Sequence, residues 1–198
     1  FDHSKLTRMA NASSVPVINL LSDQTHPIQT LADLLTLRQS LGDIEKLKVS
    51  YIGDPNNVSR PLAIALNMFG NTLNLSHPKG YGLSASDLNK FESGNVKVNL
   101  VDDPKLAAEN ADVIYTDTWY SMGQEDQKDQ RVKDFKDYQI NSELMSRANA
   151  EAIFMHCLPA HRGLEVTDEV IDGPQSVVWK QAENRMHTAR GLLSYLCE

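Results

Sequence analysis

Several polar residues of this 198-residue sequence follow short apolar runs, and in parallel sheets the ends of such strands are where ligands bind. Asp117 follows one run, and a carboxylate there could pair with the ammonium group of a cationic ligand. Cys157 follows another, where its thiol could contact a ligand, act as a nucleophile or fill the core. His26 and Gln29 lie three positions apart at the start of a predicted helix, so both could hydrogen-bond a small carbonyl compound.

Other residues at these ends have both a binding and a structural interpretation. Asn57 could present its amide to a ligand carboxylate beside a helix N-terminus. Alternatively, Asn56 or Asn57 could cap the helix that follows, and Asp117 could stabilise a turn. Ser121 offers a hydroxyl within a loop whose glycine would expose backbone N–H groups.

The spacing predicts neither a metal site nor a cofactor site. His156 and Cys157 are adjacent and would point to opposite faces of a strand, and His161 does not complete a common zinc spacing. The glycine fingerprint G-x-G-x-x-G of dinucleotide-binding folds is also missing, which disfavours a dehydrogenase.

Composition narrows the class of protein further. The net charge is −7 without any block of lysine and arginine, which argues against nucleic acid or an anionic membrane as a partner. Hydrophobic residues make up 41% of the sequence, and no apolar run reaches the length of a membrane span. With only two cysteines, the sequence favours a reducing compartment.

Short apolar runs alternate with helical patterns along the whole chain. Residues 1–10 have the pattern of a helix interior. Strands are predicted over residues 15–20, 48–54, 72–75, 96–101, 112–116, 152–157 and 176–179. Helices are predicted over residues 27–37, 59–69, 86–91, 104–110, 142–149 and 182–196, with a surface loop and helix over 123–137. This alternation predicts an α/β fold, a doubly wound, Rossmann-like parallel sheet with helices on both faces.

Five stretches, taken in order, resemble the ornithine carbamoyltransferases (ornithine transcarbamylases). They are residues 26–36, 53–57, 117–125, 156–159 and 183–185. The His-Pro-x-Gln start is shared with aspartate carbamoyltransferases, whereas the Ser-Met-Gly and His-Cys-Leu-Pro segments point to ornithine. The resemblance implies transfer of the carbamoyl group of carbamoyl phosphate to the side-chain amine of L-ornithine. The products are citrulline and phosphate, in arginine biosynthesis or the urea cycle, and no cofactor or metal is implied.

The same resemblance implies a role for each site residue. The catalytic residues would be Asp117, Cys157 and Arg185. The ornithine-binding residues would be Asn57, Asp117, Ser121, Met122 and Leu158. The residues that bind carbamoyl phosphate would be His26, Gln29, Cys157 and Arg185.

The resemblance also implies a division of the chain. Residues 1–36 would end the carbamoyl-phosphate domain and form the interdomain helix, 37–181 would form the ornithine-binding domain, and 182–198 would return to the first domain. The family's Ser-x-Arg-Thr-Arg phosphate loop does not occur, and the chain opens without an initiator methionine. We therefore expect a fragment that lacks most of the first domain and is inactive alone. The full-length protein is expected to be a homotrimer, cytoplasmic rather than in the mitochondrial matrix.

Three alternatives remain open from the sequence. The chain could be a non-catalytic amino-acid-binding module, or a carbamoyltransferase for another amine such as aspartate or putrescine. A nicotinamide-dependent dehydrogenase is the third and has the least support, because the glycine fingerprint is absent.

Overall fold

Five parallel strands form a single sheet in a computed structural model that describes residues 2–121 and 123–197. The strands are β1 (Lys48–Ile52), β2 (Thr72–Ser76), β3 (Val98–Leu100), β4 (Val113–Thr116) and β5 (Ile153–His156). Their order across the sheet is β3-β2-β1-β4-β5. The chain therefore winds outward from β1 in one direction and then returns to extend the sheet in the other, with the reversal between β1 and β4.

Helices connect the strands and cover the sheet. They are α1 (His3–Ala12), α2 (Pro27–Leu41), α3 (Ser59–Met68), α4 (Ala85–Ser93), α5 (Pro104–Ala108), α6 (Lys128–Phe135), α7 (Ser142–Met145), α8 (Asp168–Ile171) and α9 (Val178–Leu196). Two short 3-10 helices, Glu125–Gln127 and Lys136–Tyr138, flank α6. The first and last long helices of the sheet domain, α2 and α9, pack against each other although they lie far apart in sequence.

The core has one apolar cluster on each face of the sheet. Tyr51 of β1 faces a cluster built with α3 and α4, whereas its neighbour Ile52 faces a cluster built with α5, α7 and α8. Both side chains are fully buried, as the alternation of a strand with two covered faces requires. The predicted doubly wound sheet with helices on both faces is thereby confirmed.

Two predicted strands are wrong. Residues 15–20 form an irregular segment that pairs with none of the described strands, and its apolar residues Val15 and Leu20 are largely exposed. Over residues 176–179, pairing stops after a single bridge between Ser176 and Phe154. The chain then turns into α9, whose first residue, Val178, supplies the buried apolar contact that the strand pattern suggested.

Both terminal helices are present where the pattern predicted them, although α9 begins at Val178 rather than at residue 182. The helical pattern is confirmed over residues 3–10, and α1 begins at His3 with the Asp2 side chain accepting a hydrogen bond from the Ser4 N–H. In α9 the apolar residues Leu193 and Leu196 are exposed in this chain. No helix among the described residues is both long and apolar enough to cross a membrane.

Candidate functional site

The polar residues that follow β1, β4 and β5 meet at one edge of the sheet. All strands run in parallel, so their carboxyl ends lie on the same side, and the strand order reverses between β1 and β4, which is where open sheets of this kind bind ligands. Asp54 follows β1, Asp117 follows β4 and Cys157 follows β5. The topology thus places the residues singled out in the sequence around the position where such sheets bind ligands.

Asp117 is the centre of a hydrogen-bonded group at this edge. Its carboxylate is buried, with one oxygen accepting the Cys157 thiol at 3.0 Å and the Thr118 N–H at 2.7 Å. The other oxygen accepts the side-chain amide of Asn56 at 2.7 Å. Burial raises the pKa of the Cys157 thiol, and the neighbouring carboxylate raises it further. Cys157 is therefore a protonated hydrogen-bond donor rather than an activated thiolate.

The asparagine that holds Asp117 is Asn56, not the neighbouring Asn57. The side-chain Oδ1 of Asn56 accepts the Val58 N–H at 2.8 Å, so one side chain both caps the turn and fixes the Asp117 carboxylate. Asn57 instead donates its amide to the Ser22 carbonyl at 2.7 Å. Asn56 is a site residue that the sequence interpretation had considered only as a cap.

The loop after β4 has an anchored base and an exposed tip. Arg131 of α6, which is buried, donates to the Asp54 carboxylate at 2.6 Å and to the Trp119 carbonyl at 2.8 Å. Ser121 is exposed at the tip, and Gly123 adopts φ 89°, a left-handed conformation that favours glycine. Met122 lies outside the described residues.

A second polar group joins α2 to α9. Arg185 donates to the side-chain Oε1 of Gln29 at 2.6 Å, and the side-chain amide nitrogen of Gln29 donates to Asp33 at 2.8 Å. His26 is buried at the start of α2, and burial, together with the Arg185 charge, lowers its pKa to about 4. Among the described residues, His26 Nδ1 and Arg185 Nε are buried without a hydrogen-bond partner.

The two polar groups are close enough for their charges to influence each other. The Asp117 carboxylate opposes the fall in the His26 pKa, and the Arg185 charge opposes the rise in the Cys157 pKa. The structure therefore pairs Asp117 with Cys157 and Gln29 with Arg185, with His26 beside the second pair, whereas the ligand each one contacts stays a prediction.

A buried network supports both groups and contains residues that the sequence interpretation missed. Asp33 is fully buried and accepts hydrogen bonds from Gln29, from Gln181 at 2.7 Å and from the Tyr115 hydroxyl at 3.1 Å. Gln181 also accepts the His156 N–H at 3.0 Å, which links α9 to the end of β5. Burial raises the Asp33 pKa to about 7 against these hydrogen bonds.

Cys157 packs against the same apolar cluster as Met155, as strand alternation predicts, whereas Leu158 packs against the cluster on the other face. Because β5 ends at His156, ligand atoms of Asp117, His156 and Cys157 still lie within 4.8 Å of one another. Both ring nitrogens of His156 are nevertheless engaged, one with the Leu158 N–H and one with Glu165. His161 stacks on Tyr120 instead, with ring centroids 4.7 Å apart.

Comparison with known proteins gives the same family as the sequence motifs. The family profile described as "Aspartate/ornithine carbamoyltransferase, Asp/Orn binding domain" matches residues 45–196. The profile of the carbamoyl-P binding domain of the same family matches residues 1–39. The resemblance drawn from the five stretches is thereby confirmed.

Relatives and solved structures agree with the profiles. The chain is 46% identical to the ornithine carbamoyltransferase of Caldicellulosiruptor saccharolyticus over 201 residues, covering 100% of this chain and 65% of that protein. It is 47% identical to the one from Synechocystis over 196 residues, covering 98% and 64%. The structure of the Pyrococcus furiosus ornithine carbamoyltransferase superimposes with a TM-score of 0.90 at 44% identity, over 98% of this chain and 63% of that one. The chain thus spans about 65% of the length of the curated relatives it matches.

Proposed function

Because the chain belongs to the aspartate/ornithine carbamoyltransferase family, we propose that it supplies the amino-acid half of an active site. The reaction would transfer the carbamoyl group of carbamoyl phosphate to the side-chain amine of L-ornithine, giving citrulline and phosphate. The observation that carries the proposal is the hydrogen-bonded pair of Asp117 and Cys157, 3.0 Å apart at the carboxyl ends of β4 and β5. The names of the relatives support ornithine rather than aspartate as the amino acid.

The Asp117 group suits an amino acid that carries both charges. The buried carboxylate would bind the α-ammonium group, since Asn56 and Cys157 already orient its two oxygens. Asn57, Ser121 and the Met122 N–H would hold the α-carboxylate, and the loop would close over the ligand. Leu158 would contact the aliphatic chain beside the reacting amine.

The amine attacks only after it loses its proton. An alkyl ammonium group with a pKa near ~10.4 is about three units from neutral pH, so deprotonation costs roughly 4 kcal/mol. A crevice shielded from water lowers that cost, because burial disfavours the charged form. The Cys157 backbone carbonyl, next to the thiol bound to Asp117, would orient the neutral amine toward the carbamoyl carbon.

The group on α2 and α9 suits the carbamoyl end. Arg185 is positively charged, and its Nε carries a hydrogen-bond donor that no described residue uses. His26 is neutral at physiological pH, so its ring can donate or accept one hydrogen bond. Together with Gln29 they would bind the carbamoyl oxygen and stabilise the oxyanion that forms when the amine attacks.

The proposal includes limits on what this polypeptide does alone. The sequence holds no Ser-x-Arg-Thr-Arg phosphate loop, so we propose that the 198-residue chain has no significant turnover by itself. The division at residues 36 and 181, the homotrimer and the cytoplasmic location belong to the same proposal. A non-catalytic amino-acid-binding module is the competing function.

Calorimetric titration of the purified chain tests the proposal. We expect L-ornithine and its analogue L-norvaline to bind, and Asp117→Asn to abolish that binding. The matched control Asp137→Asn, at an exposed position, should bind as the parent does. Tighter binding when carbamoyl phosphate is present would favour the transferase over a simple binding module. Failure of both amino acids to bind the folded chain would overturn the proposal.

A further inference from the structure

The ring of His156 is fully buried, and both of its nitrogens are occupied. Nδ1 accepts the Leu158 backbone N–H at 2.9 Å, so this nitrogen presents a lone pair. The proton of the neutral ring must then lie on Nε2, which faces Glu165 Oε1 at 3.3 Å. The two contacts therefore select one tautomer of His156.

Glu165 is a fixed anchor for this ring. Its side chain is fully buried, and its backbone carbonyl accepts the Ile140 N–H at 2.9 Å. Glu165 Oε1, which accepts the hydrogen bond from His156 Nε2, also accepts one from the backbone N–H of His161. The Glu165 side chain consequently has little freedom to move away from the ring.

The contact from His156 reaches the backbone beside the proposed reaction centre. Leu158 adopts φ 58°, the left-handed region that non-glycine residues seldom occupy. Its N–H, held by His156, fixes the direction of the peptide that joins it to Cys157. The Cys157 thiol in turn lies 3.0 Å from the Asp117 carboxylate.

We propose that Glu165 and His156 are positioning residues that hold the Cys157–Leu158 turn so that the Cys157 thiol faces Asp117. The inference rests on the proposed function for what that turn does with substrate. The chain of hydrogen bonds from the Glu165 carboxylate through the His156 ring to the Leu158 N–H does not depend on that function. The alternative is that His156 and Glu165 merely fill a buried volume.

The rate at which iodoacetamide alkylates Cys157 reports whether the turn still holds the thiol against Asp117, and the assay does not require catalysis. Cys197→Ser leaves Cys157 as the sole thiol of the chain. His156→Asn keeps a carbonyl oxygen near the Nδ1 position to accept the Leu158 N–H, whereas His156→Gln keeps only a group that reaches Glu165. We expect alkylation at least about tenfold faster in His156→Gln, because the released thiol leaves the carboxylate that keeps it protonated. His156→Asn should stay within about twofold of the parent.

Opposite results would overturn the proposal. If the volume of His156 alone matters, the smaller asparagine should be the more damaging substitution, and the order of the two rates would reverse. Should His156→Gln fail to fold, Glu165→Leu and Glu165→Gln replace the pair, with faster alkylation expected only for leucine. Nitrogen NMR of the unsubstituted ring must also show the proton on Nε2, and a proton on Nδ1 would refute the arrangement.

Failure of the proposed function would look different. L-ornithine should protect Cys157 from alkylation if it binds beside Asp117. Absence of protection, with the predicted order of rates intact, would reject ornithine as the ligand while leaving the positioning roles of His156 and Glu165 standing.

Discussion

Replacing Asp33 with asparagine should change how the stability of the protein depends on pH. Asp33 Oδ1 accepts both the Gln29 and the Gln181 amides, and Oδ2 accepts the Tyr115 hydroxyl. Asparagine keeps an oxygen for the two amides, and its amide nitrogen can donate to the Tyr115 oxygen. The variant therefore reproduces the shape and charge of the protonated acid.

The expected size follows from the pKa of Asp33. Burial raises this pKa from 3.8 to about 7, so the folded protein binds the proton more tightly than the unfolded chain. The stability gained from that proton is complete below the unfolded pKa and is lost as the pH rises through about 7. A shift of about three units corresponds to about 4 kcal/mol at most. Between about pH 4 and about pH 8 the parent should lose up to that amount relative to Asp33→Asn.

Urea unfolding of both proteins across that range measures the effect. Other groups that titrate, such as His26, are present in both proteins and cancel in the difference. Asp137→Asn, an exposed aspartate with the same change of charge, provides the control and should give a difference that is nearly independent of pH. A pH-independent difference for Asp33→Asn, or one that grows in favour of the parent with rising pH, would refute the reasoning.

Three further predictions concern the loop and the start of α2. Arg131→Met should cost about 3 kcal/mol in urea unfolding, because Asp54 loses the partner of a largely buried ion pair. Gly123→Ala should destabilise the loop by about 1 kcal/mol, since alanine is strained at φ 89°, and weaken ornithine binding in calorimetry; unchanged affinity would contradict the predicted role of the loop. Proton NMR should show His26 titrating near pH 4, and a titration near the ordinary value of 6.5 would mean that the ring is not buried beside Arg185.

The sequence predicted the fold more completely than the site. Alternating apolar runs and helical patterns identified all five strands of the sheet, because buried parallel strands leave a strong local signal. The same pattern gave wrong predictions at residues 15–20 and 176–179. There, short runs that contain β-branched residues form an irregular segment and the start of a helix. Pairing partners, which decide between these outcomes, are not encoded locally.

Within the site, the residues at strand ends were predictable and their supports were not. Asp117 and Cys157 stand at positions where parallel sheets bind ligands, so topology alone pointed to them. Which of Asn56 and Asn57 contacts Asp117 depends on the backbone conformation of the turn after β1, which the sequence does not reveal. Asp33 and Gln181 gain their roles from a contact across 148 positions, which no local pattern reveals.

That same separation has a consequence for synthesis. Asp33 leaves the ribosome 148 residues before Gln181, an interval of roughly 7 to 30 s at ordinary rates of translation. Until α9 emerges, the buried Asp33 carboxylate lacks the Gln181 amide as a hydrogen-bond donor. Gln29 likewise lacks Arg185, so the polar group that joins α2 to α9 is incomplete during this interval. The contact between α2 and α9 can therefore form only after all five strands of the sheet have been synthesised.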